Sequence, residues 1–551
     1  MWVNSNIIYN ITGIIFQKGV QKRMGLYLNP GNDAFRIAVN DDIYVDKTGM
    51  IAFTNHRLDK NKRYICTSRP RRFGKSMAAD MLNAYYSKGC NSADLFNGLK
   101  ASKEPGFEKH LNQYDVIYIN VQQFLRKTNS LEELGLCIED AVLIELKETY
   151  KEYFPSSQQG LPDTLATIYN LRPGNKKGFI FIIDEWDCIF RIAKNNTDAQ
   201  TNYLDFLRDL FKDRTYVTLA YMTGILPVKK YGTHSAINIF DEFSMMNPKE
   251  LAIYAGFTED EVKNLCHVYN MDFGKVQSWY DGYQFHNQCN IYNPKSVVDA
   301  MLSREFDSYW TETETYEALK IYIEMDYDGL KTAIITMLGG GRCKFNSRSF
   351  QNDMSSFKGK DDVLSLLVHL GYLAYDRNTQ EAYIPNKEIT SEFINVIDSP
   401  AWDGVIHAVA RSDAMLKSTV NMDADAVAAE MDIVHTETTS LIKYNDENSL
   451  ACSVFIAYYS AKACYMPPVR ELPTGKGFAD IVYLPRREEN LPALLVELKW
   501  NKSAVSALQQ IKDRCYAGIL KNYTGDILLV GINYDKKTKK HECKIEKYKI
   551  Q

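Results

Sequence analysis

The sequence predicts a multidomain α/β protein, with a parallel sheet first, a helix-rich region next and a smaller α/β domain last. The chain has 551 residues, which is too many for one hydrophobic core, so about two to four domains are expected. From Lys62 to Met222, short apolar runs alternate with amphipathic helical segments, a pattern typical of a parallel sheet covered by helices. Near the C-terminus, two apolar runs flank the charged turn Arg486–Asn490, which indicates a second sheet.

The composition is that of an ordinary water-soluble globular protein. Hydrophobic residues make up 45% of the chain and charged residues 24%, as in typical globular domains. The formal charge of -4 gives no overall attraction to nucleic acid, so any such surface is local. The 11 cysteines form neither a CxxC pair nor a cluster at zinc spacing, which favours reduced thiols in a reducing cytosol. No apolar run is long enough to span a bilayer, so we expect a cytoplasmic protein without a membrane partner.

Residues 1–23 are predicted to be an N-terminal extension that precedes a first domain at residues 24–248. Ile7–Phe16 is apolar, but its positive charges follow it and no small-residue cleavage site is present, which argues against a signal peptide. Met24 opens a stretch typical of a domain start. The preceding residues are either an upstream extension or the result of start-codon choice.

Apolar periodicity predicts four strands and three helices in residues 24–248. The strands cover Arg63–Thr67, Val116–Val121, Phe179–Ile183 and Tyr216–Met222. The helices cover Met77–Tyr86, a segment that follows a capping-box signature at Ser130 and Glu133 and runs to about Tyr150, and Asn202–Lys212.

The segment SRPRRFGKS, Ser68–Ser76, joins the first strand to the first helix and resembles a phosphate-binding loop. Such a loop needs backbone N–H groups around the phosphates, a lysine on the β/γ oxygens and a hydroxyl on magnesium. Gly74, Lys75 and Ser76 supply these parts, and the helix N-terminus adds its positive dipole end. Arg69, however, replaces the first glycine of the usual G-x-x-x-x-G-K-[ST] motif. The alternative interpretation is a solvated helix start.

The third predicted strand ends in two consecutive carboxylates, Asp184 and Glu185. We expect Asp184 to hold magnesium together with Ser76, and Glu185 to orient and deprotonate the attacking water. The alternative is that the strand ends in acids because solvent begins there. A strand at Val116–Val121 lies between the two motifs in sequence, as the additional-strand class of P-loop ATPases requires.

These motifs together predict a site for ATP with Mg²⁺. Its residues come from the loop, the acidic strand end and the end of the next strand, and they are Arg72, Phe73, Gly74, Lys75, Ser76, Asp184 and Thr223. Thr223 is included because a polar residue at that strand end can sense the γ-phosphate. Arg72 has an alternative role in contacting DNA or a neighbouring subunit.

Residues 249–402 are predicted to form a helix-rich middle region. Two aromatic segments, Trp279–Phe285 and Ile291–Val297, interrupt it. An amphipathic helix over Asp361–Leu370 is followed by two short strands separated by a polar turn. That order predicts a winged-helix-like unit, although any small α+β unit fits nearly as well.

Residues 403–551 are predicted to form an α/β domain with a metal-carboxylate site. Asp480 lies in the first strand of a hairpin, and Glu497 and Lys499 lie in the second. Side chains alternate along a strand, so Glu497 and Lys499 point to one face, and hairpin pairing brings Asp480 beside them. Two such carboxylates form a hard-oxygen site for magnesium. A neighbouring lysine can position water and stabilise charge on a phosphate, which is the chemistry of phosphodiester hydrolysis.

The alternative for this hairpin is an amphipathic edge whose acids and lysine are merely solvated. A charged pair at the end of a buried strand is costly unless it is used, which argues against that alternative. A further catalytic acid is expected from an upstream helix. Glu447 is the candidate and Glu471 the rival.

Several segments, in this order, resemble those of one family. They are Tyr27–Asn32, Tyr44–Thr48, Arg69–Ser76, Ile183–Asp187, Thr223–Tyr231, Trp279–Phe285 and Tyr292–Val297. From Met24 onward the chain resembles bacterial AAA-ATPase-like proteins that carry a C-terminal domain of the PD-(D/E)XK nuclease superfamily. The resemblance implies a P-loop NTPase sheet and a C-terminal restriction-endonuclease-like domain. It also implies that a loop with Arg69 in place of the first glycine is the family's own version.

The resemblance extends to the C-terminal motif. The D-x(16)-E-x-K arrangement of Asp480, Glu497 and Lys499 looks like the nuclease signature, with Ala479 in place of its proline. Ala507–Tyr516 resembles the Q-x-x-x-Y element of that superfamily, which places Gln510 near the site.

The preferred hypothesis is a nucleotide-controlled nuclease, in which ATP binding or hydrolysis gates magnesium-dependent cleavage of DNA. One alternative is an NTP-dependent nucleic-acid-binding switch with an inactive nuclease domain. Another is a regulator of a protein partner in which both sites are vestigial, and the joint presence of both motif sets argues against it. The nucleic-acid substrate, the oligomeric state (a homo-oligomer is one option) and the biological process stay open.

Overall fold

The structure is a computed structural model that describes most of the chain between residues 25 and 548. The described residues are 25–174, 177–228, 238–285, 289–310, 315–325, 327–350, 357–397, 402–438, 441, 447–473, 478–486, 489–513, 523 and 525–548.

The chain divides into two compact units. Unit 1 consists of residues 1–64, 76–186 and 198–222, and unit 2 of residues 65–75, 187–197 and 223–551. The boundaries predicted at residues 24, 249 and 403 stay predictions.

The α-helices in chain order are α1 Asp33–Val39, α2 Met50–Asn55, α3 Lys75–Tyr86, α4 Ala93–Phe96, α5 Phe107–His110, α6 Val121–Leu125, α7 Leu134–Thr149, α8 Leu161–Leu171, α9 Cys188–Ile192, α10 Thr197–Phe211, α11 Glu259–Tyr269, α12 Phe273–Tyr280, α13 Pro294–Ser303, α14 Thr315–Ile323, α15 Leu330–Leu338, α16 Lys360–Leu370, α17 Lys387–Ile397, α18 Asp403–Val420, α19 Ala424–Thr438, α20 Glu447–Ala457 and α21 Ala504–Asp513. Short 3₁₀ turns are present at Lys100–Lys103, Leu131–Glu133, Lys249–Leu251 and Tyr459–Ala463.

The strands in chain order are β1 Tyr64–Ser68, β2 Asp115–Asn120, β3 Phe179–Asp184, β4 Val217–Gly224, β5 Asp241–Phe243, β6 Phe257–Thr258, β7 Tyr283–Phe285, β8 Cys289–Tyr292, β9 Cys343–Lys344, β10 Ala374–Asp376, β11 Glu381–Tyr383, β12 Val469–Pro473, β13 Phe478–Tyr483, β14 Ala493–Trp500, β15 Ile527–Asp535 and β16 Lys540–Tyr548.

The first sheet has five strands in the order β2-β3-β4-β1-β5. In unit 1, β3 pairs in parallel with β2 and with β4, and in unit 2, β1 pairs in parallel with β5. Every residue of β1, β3 and β4 is buried, which is why their sequences are nearly continuous apolar runs. The predicted parallel α/β sheet is therefore confirmed.

One sequence-based detail of this region needs correction. The capping box predicted at Ser130 and Glu133 is wrong. The Ser130 hydroxyl donates to Glu132, and a 3₁₀ turn precedes a helix that begins only at Leu134.

The middle part of unit 2 combines α11–α17 with two small antiparallel sheets. Their strand orders are β6-β8-β7 and β10-β11-β9. The predicted order of helix, strand, turn and strand is present as α16, β10 and β11. Its classification as a winged helix stays a prediction.

The last part of unit 2 contains a mixed sheet in the order β12-β13-β14-β15-β16. The β14–β15 pair is parallel and the other pairs are antiparallel. Helix α21 buries Leu508 and Ile511 against Val482, Leu495 and Leu529 of the strands. The predicted α/β architecture is therefore present, and its assignment to the nuclease superfamily stays a prediction.

Among the described helices, none combines the length and the apolar character that crossing a membrane requires.

Candidate functional site

The predicted phosphate loop connects β1 to the 12-residue helix α3. Arg72 and Gly74 have left-handed backbones, with φ of 67° and 81°, and the direction of a Cβ on Gly74 is open for at least 4 Å. Lys75 is 5% exposed, and its ammonium donates to the Pro70 carbonyl at 2.9 Å. A turned loop with open space at its glycine, a lysine folded over it and a helix N-terminus behind it fits a bound phosphate.

Arg69, which replaces the usual glycine, has a structural role in unit 2. Its side chain is fully buried and donates to the carbonyls of Ser68 at 2.9 Å and Phe243 at 2.8 Å. Its backbone N–H donates to the carbonyl of Gly224 at 3.0 Å, and its guanidinium lies over the Phe285 ring. Arg69 thus ties the start of the loop to Gly224, the last residue of β4, and to Phe243 of β5.

Residues of the middle part of unit 2 contact the phosphate loop. The Phe73 ring is buried and meets the Tyr283 ring edge-on at 5.6 Å, while the Phe73 carbonyl accepts from Gly256. The Arg72 guanidinium donates to the Tyr309 carbonyl at 2.7 Å. Gly371 lies so close that a Cβ there would come within 2.8 Å of Pro70. We call Gly256, Tyr283, Tyr309 and Gly371 the loop clamp.

The clamp engages the side chains of two predicted nucleotide-binding residues. The Phe73 ring is turned into the protein and the Arg72 guanidinium is bound to a carbonyl. Phe73 can therefore contact a phosphate only through its backbone. The nucleotide-binding roles of both residues stay predictions.

In unit 1, the structure brings Ser76 and Asp184 together as predicted. Asp184, at the end of β3, is 1% exposed, and its Oδ2 accepts from the Ser76 hydroxyl at 2.8 Å and from the Asn120 amide at 3.1 Å. A hydroxyl and a carboxylate in contact are hard oxygen ligands of the kind that Mg²⁺ prefers. Glu185 follows directly with φ 54°, an uncommon backbone for a non-glycine residue that often marks a functional position.

Asn120 and Asp80 belong to this site but were not predicted. Asn120 ends β2, and the carboxyl ends of neighbouring parallel strands meet at one edge of the sheet. Asp80 lies one helical turn after Ser76, and its carboxylate accepts from the Tyr118 hydroxyl at 2.9 Å. Burial, with a contribution from the charge of Asp184, raises the pKa of Asp80 to about 6. The i, i+4 spacing from Ser76 was the signal available in the sequence.

Asp187, the third acid of the IDEWD segment, is a further positioning residue in unit 2. It is fully buried, and its Oδ2 accepts the backbone N–H groups of Ile225 at 3.1 Å and Leu226 at 2.8 Å. The Arg191 side chain lies 3.3 Å from the same oxygen. Asp187 therefore fixes the segment that follows Thr223, which is itself buried at the end of β4.

The C-terminal site lies on β13 and β14, where Ile481 pairs with Val496. Asp480 Oδ2 accepts the Leu498 N–H at 2.7 Å. Glu497 is fully buried, and its Oε1 lies 3.2 Å from the ammonium of Lys499, which also donates to the Leu498 carbonyl at 2.9 Å. The hairpin thus brings the three predicted residues together.

The two other predicted members also lie at this site. The Gln510 amide, on α21, donates to Glu497 Oε1. Glu447 is exposed at the start of α20, and its charge helps to raise the pKa of Asp480. Burial is the main cause of that raised pKa, and the Lys499 ammonium opposes it. The side chain of Glu471 and all of Tyr516 lie outside the described residues.

Both sites offer a cation only a few protein ligands. Within the part of the chain that the structure describes, no group of three or more His, Cys, Asp or Glu side chains is arranged to hold a metal ion. Each site instead offers one or two carboxylates: Asp184 with the Ser76 hydroxyl, and Asp480 with Glu497. Such a set fits Mg²⁺, which usually binds one or two carboxylates together with waters and substrate phosphates.

Residues 31–234 match the family model described as "AAA-ATPase_like: Predicted AAA-ATPase". The N-terminal region is AAA-ATPase-like. The predicted resemblance is confirmed for this region. The match ends before the middle part of unit 2 and does not include the C-terminal domain.

The chain is also similar to a curated protein and to two solved structures. It is 25% identical over 283 residues to the "Uncharacterized protein in vnfD 5'region" of Azotobacter chroococcum mcd 1, a match that covers 50% of this chain and 51% of the relative. The chain therefore spans about half the length of that relative.

The first of the solved structures is the Walker-type ATPase of Pyrococcus abyssi, with 12% identity, a TM-score of 0.32, and coverage of 63% of this chain and 94% of the other. The second is the ORC1 protein of Aeropyrum pernix in complex with DNA, with 11% identity, a TM-score of 0.22, and coverage of 82% and 94%. TM-scores this low do not establish a shared fold.

Proposed function

We propose that this protein is a nucleotide-controlled nuclease: ATP bound at the phosphate loop of the AAA-ATPase-like region controls magnesium-dependent cleavage of DNA by the C-terminal domain. The observation that carries the nuclease part is the convergence of Asp480, Glu497, Lys499 and Gln510 on one end of the β13–β14 hairpin. A buried carboxylate with a lysine and an amide on one oxygen is costly to fold. The presence of so costly an arrangement supports a catalytic use.

At the phosphate loop, Lys75 and the N–H groups at the start of α3 would hold the β/γ-phosphates. Ser76 and Asp184 would hold a magnesium ion, which supplies charge neutralisation on the phosphates when bound. Glu185 is suited to accept a proton from the attacking water, since it directly follows Asp184 and is partly exposed.

At the C-terminal site, Asp480 and Glu497 would hold the magnesium ion, which supplies Lewis-acid chemistry when bound. Lys499 would move from Glu497 toward the phosphate and stabilise the charge that develops as water attacks phosphorus and the bridging oxygen leaves. Glu447 is exposed and is suited to accept the proton of that water. Since burial raises the pKa of Asp480, its ionised, metal-binding form requires a higher pH than an exposed aspartate does.

Single substitutions separate the roles of these residues. Asp480→Ala and Glu497→Ala remove metal ligands, so both the apparent magnesium affinity and the cleavage rate should fall, the rate by about 100-fold or more. Lys499→Ala removes no ligand, so the rate should fall while metal affinity stays near wild type. The measurement is cleavage of plasmid and single-stranded DNA over a magnesium titration.

Lys502→Ala is the matched control for this test, because Lys502 is an exposed lysine three residues beyond Lys499. We expect it to cleave like wild type. If all three site variants also cleave like wild type, the site assignment is wrong. If the protein binds nucleic acid but cuts none under any metal or nucleotide condition, an NTP-dependent binding switch replaces the nuclease.

A further inference from the structure

A large cleft in unit 2 is lined by residues that belong to neither candidate site. Its volume is about 790 Å³, which is within the range of roughly 300–1,000 Å³ typical of ligand sites. One wall is formed by the 279–284 segment and the stretch that follows β11. The other wall is formed by the residues that follow α20, together with Arg486.

The end of α15 and the residues after it also line the cleft, through Met337, Gly340 and Gly341. Gly339 packs so closely on α20 that a Cβ there would lie 2.5 Å from the Phe455 backbone. The Lys462 ammonium donates to the Leu338 carbonyl at 2.7 Å. This part of the cleft is therefore closely packed against the wall that follows α20.

The walls carry an excess of positive charge. The described lining residues include four cations, Arg342, Lys387, Lys462 and Arg486, and one carboxylate, Asp281. Arg342 is paired with the Asp376 carboxylate at 3.0 Å, so the excess of positive charge comes from the other three cations. The Asp281 carboxylate accepts from the Gly282 N–H at 2.6 Å and from the Asn290 amide at 3.1 Å. Lys387 and Arg486 are exposed. An anionic ligand therefore matches the cleft.

Aromatic rings lie next to these cations on both walls. The Arg342 guanidinium is 4.3 Å from the centre of the Tyr383 ring, and the Lys462 ammonium is 5.2 Å from that of Tyr459. Trp279 adds a third, partly exposed ring. Alternating aromatic and cationic side chains are typical of grooves that bind single-stranded nucleic acid, where bases stack and phosphates pair with cations.

We propose that this cleft binds a single-stranded segment of nucleic acid, with bases stacked on Trp279 and Tyr459 and phosphates paired with Lys387, Lys462 and Arg486. A duplex keeps its base faces stacked on one another, so it would leave the aromatic rings of the cleft without partners. The proposal rests on the proposed nuclease function only in taking the bound strand as its substrate. The binding itself is measured without cleavage.

The test is the fluorescence anisotropy of a labelled oligodeoxythymidine titrated with the full chain in EDTA. Trp279→Leu should weaken binding by about 10-fold or more, the usual effect of removing one stacking ring. The double variant Lys387→Gln/Arg486→Gln should weaken it too, and should reduce the slope of log K against log salt by about 1.4, because each lost cation contributes roughly 0.7.

One variant serves as the control. Lys60→Gln removes an exposed lysine of unit 1. It should bind the oligonucleotide like wild type. Melting curves check folding, and if Trp279→Leu does not fold, the double variant of exposed residues carries the test alone.

The outcomes separate this proposal from the nuclease. Unchanged affinity in both cleft variants overturns the cleft assignment, even if wild type cuts DNA. Loss of binding in the variants supports the cleft, even if wild type proves unable to cut. Free thymidine monophosphate has the same base and phosphate as the strand and serves as a competitor. If it displaces the oligonucleotide at an equal concentration, the cleft binds a free nucleotide and the proposal of a bound strand is overturned.

Discussion

Asp80 shows how one partly buried carboxyl group connects the stability of unit 1 with its candidate site. Its carboxyl group lies one helical turn from Ser76, accepts the Tyr118 hydroxyl and feels the negative charge of Asp184. Burial raises its pKa from 3.8 to about 6, so the folded protein favours the neutral acid. The stability that results is fully present below the unfolded pKa, is lost as pH rises toward 6, and stays absent above it.

We therefore predict that Asp80→Asn is more stable than wild type at pH values above about 6. The amide keeps an acceptor for Tyr118 and has no charge to bury, so a gain of roughly 1–3 kcal/mol is expected in the absence of nucleotide. The advantage should shrink as pH falls from 6 toward 3.8. Denaturant unfolding across that range measures it. A variant that is less stable than wild type at neutral pH would show that the Asp80 charge is stabilising.

Other single residues mark what the sequence could and could not reveal. The contact of Ser76 with Asp184 was predictable, because a helix N-terminus and a strand end carry a recognisable motif pair. The role of Asp187 was not predictable, because it depends on two backbone N–H groups nearly forty residues away in sequence. Arg69 could be noticed as an exception to the motif, but its buried carbonyl partners appear only in the folded chain.

At the scale of elements, strand identity followed from composition, whereas spatial order did not. The buried runs of β3 and β4 were recognisable as apolar strands, and their bounds agree with the prediction within one or two residues. The position of β4 between β1 and β3 depends on crossover connections that leave no local signal. The C-terminal hairpin was predictable because two apolar runs flank one charged connection, and strands that are consecutive in sequence usually lie side by side.

Strand β7 is the element that contacts both the phosphate loop and the large cleft of unit 2. Because side chains alternate along a strand, Tyr283 and Phe285 face the phosphate loop, where they contact Phe73 and Arg69. The residue between them, Gln284, lines the large cleft. One short strand therefore contacts both the phosphate loop and the proposed nucleic-acid cleft within unit 2.

We predict that Tyr283→Leu reduces the effect of ATP on cleavage and leaves the ATP-free cleavage rate near wild type. Leucine keeps an apolar side chain but loses the ring edge against Phe73 and the hydroxyl that donates to Gly371. The measurement is the ratio of cleavage rates with and without ATP. Tyr322→Leu is the matched control, since Tyr322 is also buried in unit 2 but packs on Phe357. An unchanged ratio in Tyr283→Leu would exclude β7 as the coupling element.

At the scale of the whole molecule, the chain combines an AAA-ATPase-like region with a C-terminal α/β domain in which Glu497, Lys499 and Gln510 are in contact. The phosphate loop is held by the same unit that contains the C-terminal site. A change at the loop on nucleotide binding would therefore alter its contacts with the clamp. Such coupling requires ATP to bind the two states of the clamp with different affinity.

The most direct test of nucleotide control is the magnesium-dependent cleavage rate of plasmid and single-stranded DNA, with and without ATP. It is measured in wild type, Lys75→Ala, Glu185→Gln and Glu497→Ala. We expect ATP to change the wild-type rate, and to change nothing in Lys75→Ala, whose ATP-free rate should match wild type. Glu185→Gln should still bind ATP without hydrolysing it, and Glu497→Ala should cleave more slowly by about 100-fold or more, with and without ATP. Equal ATP effects in wild type and Lys75→Ala, or cleavage by Glu497→Ala at the wild-type rate, would contradict the account.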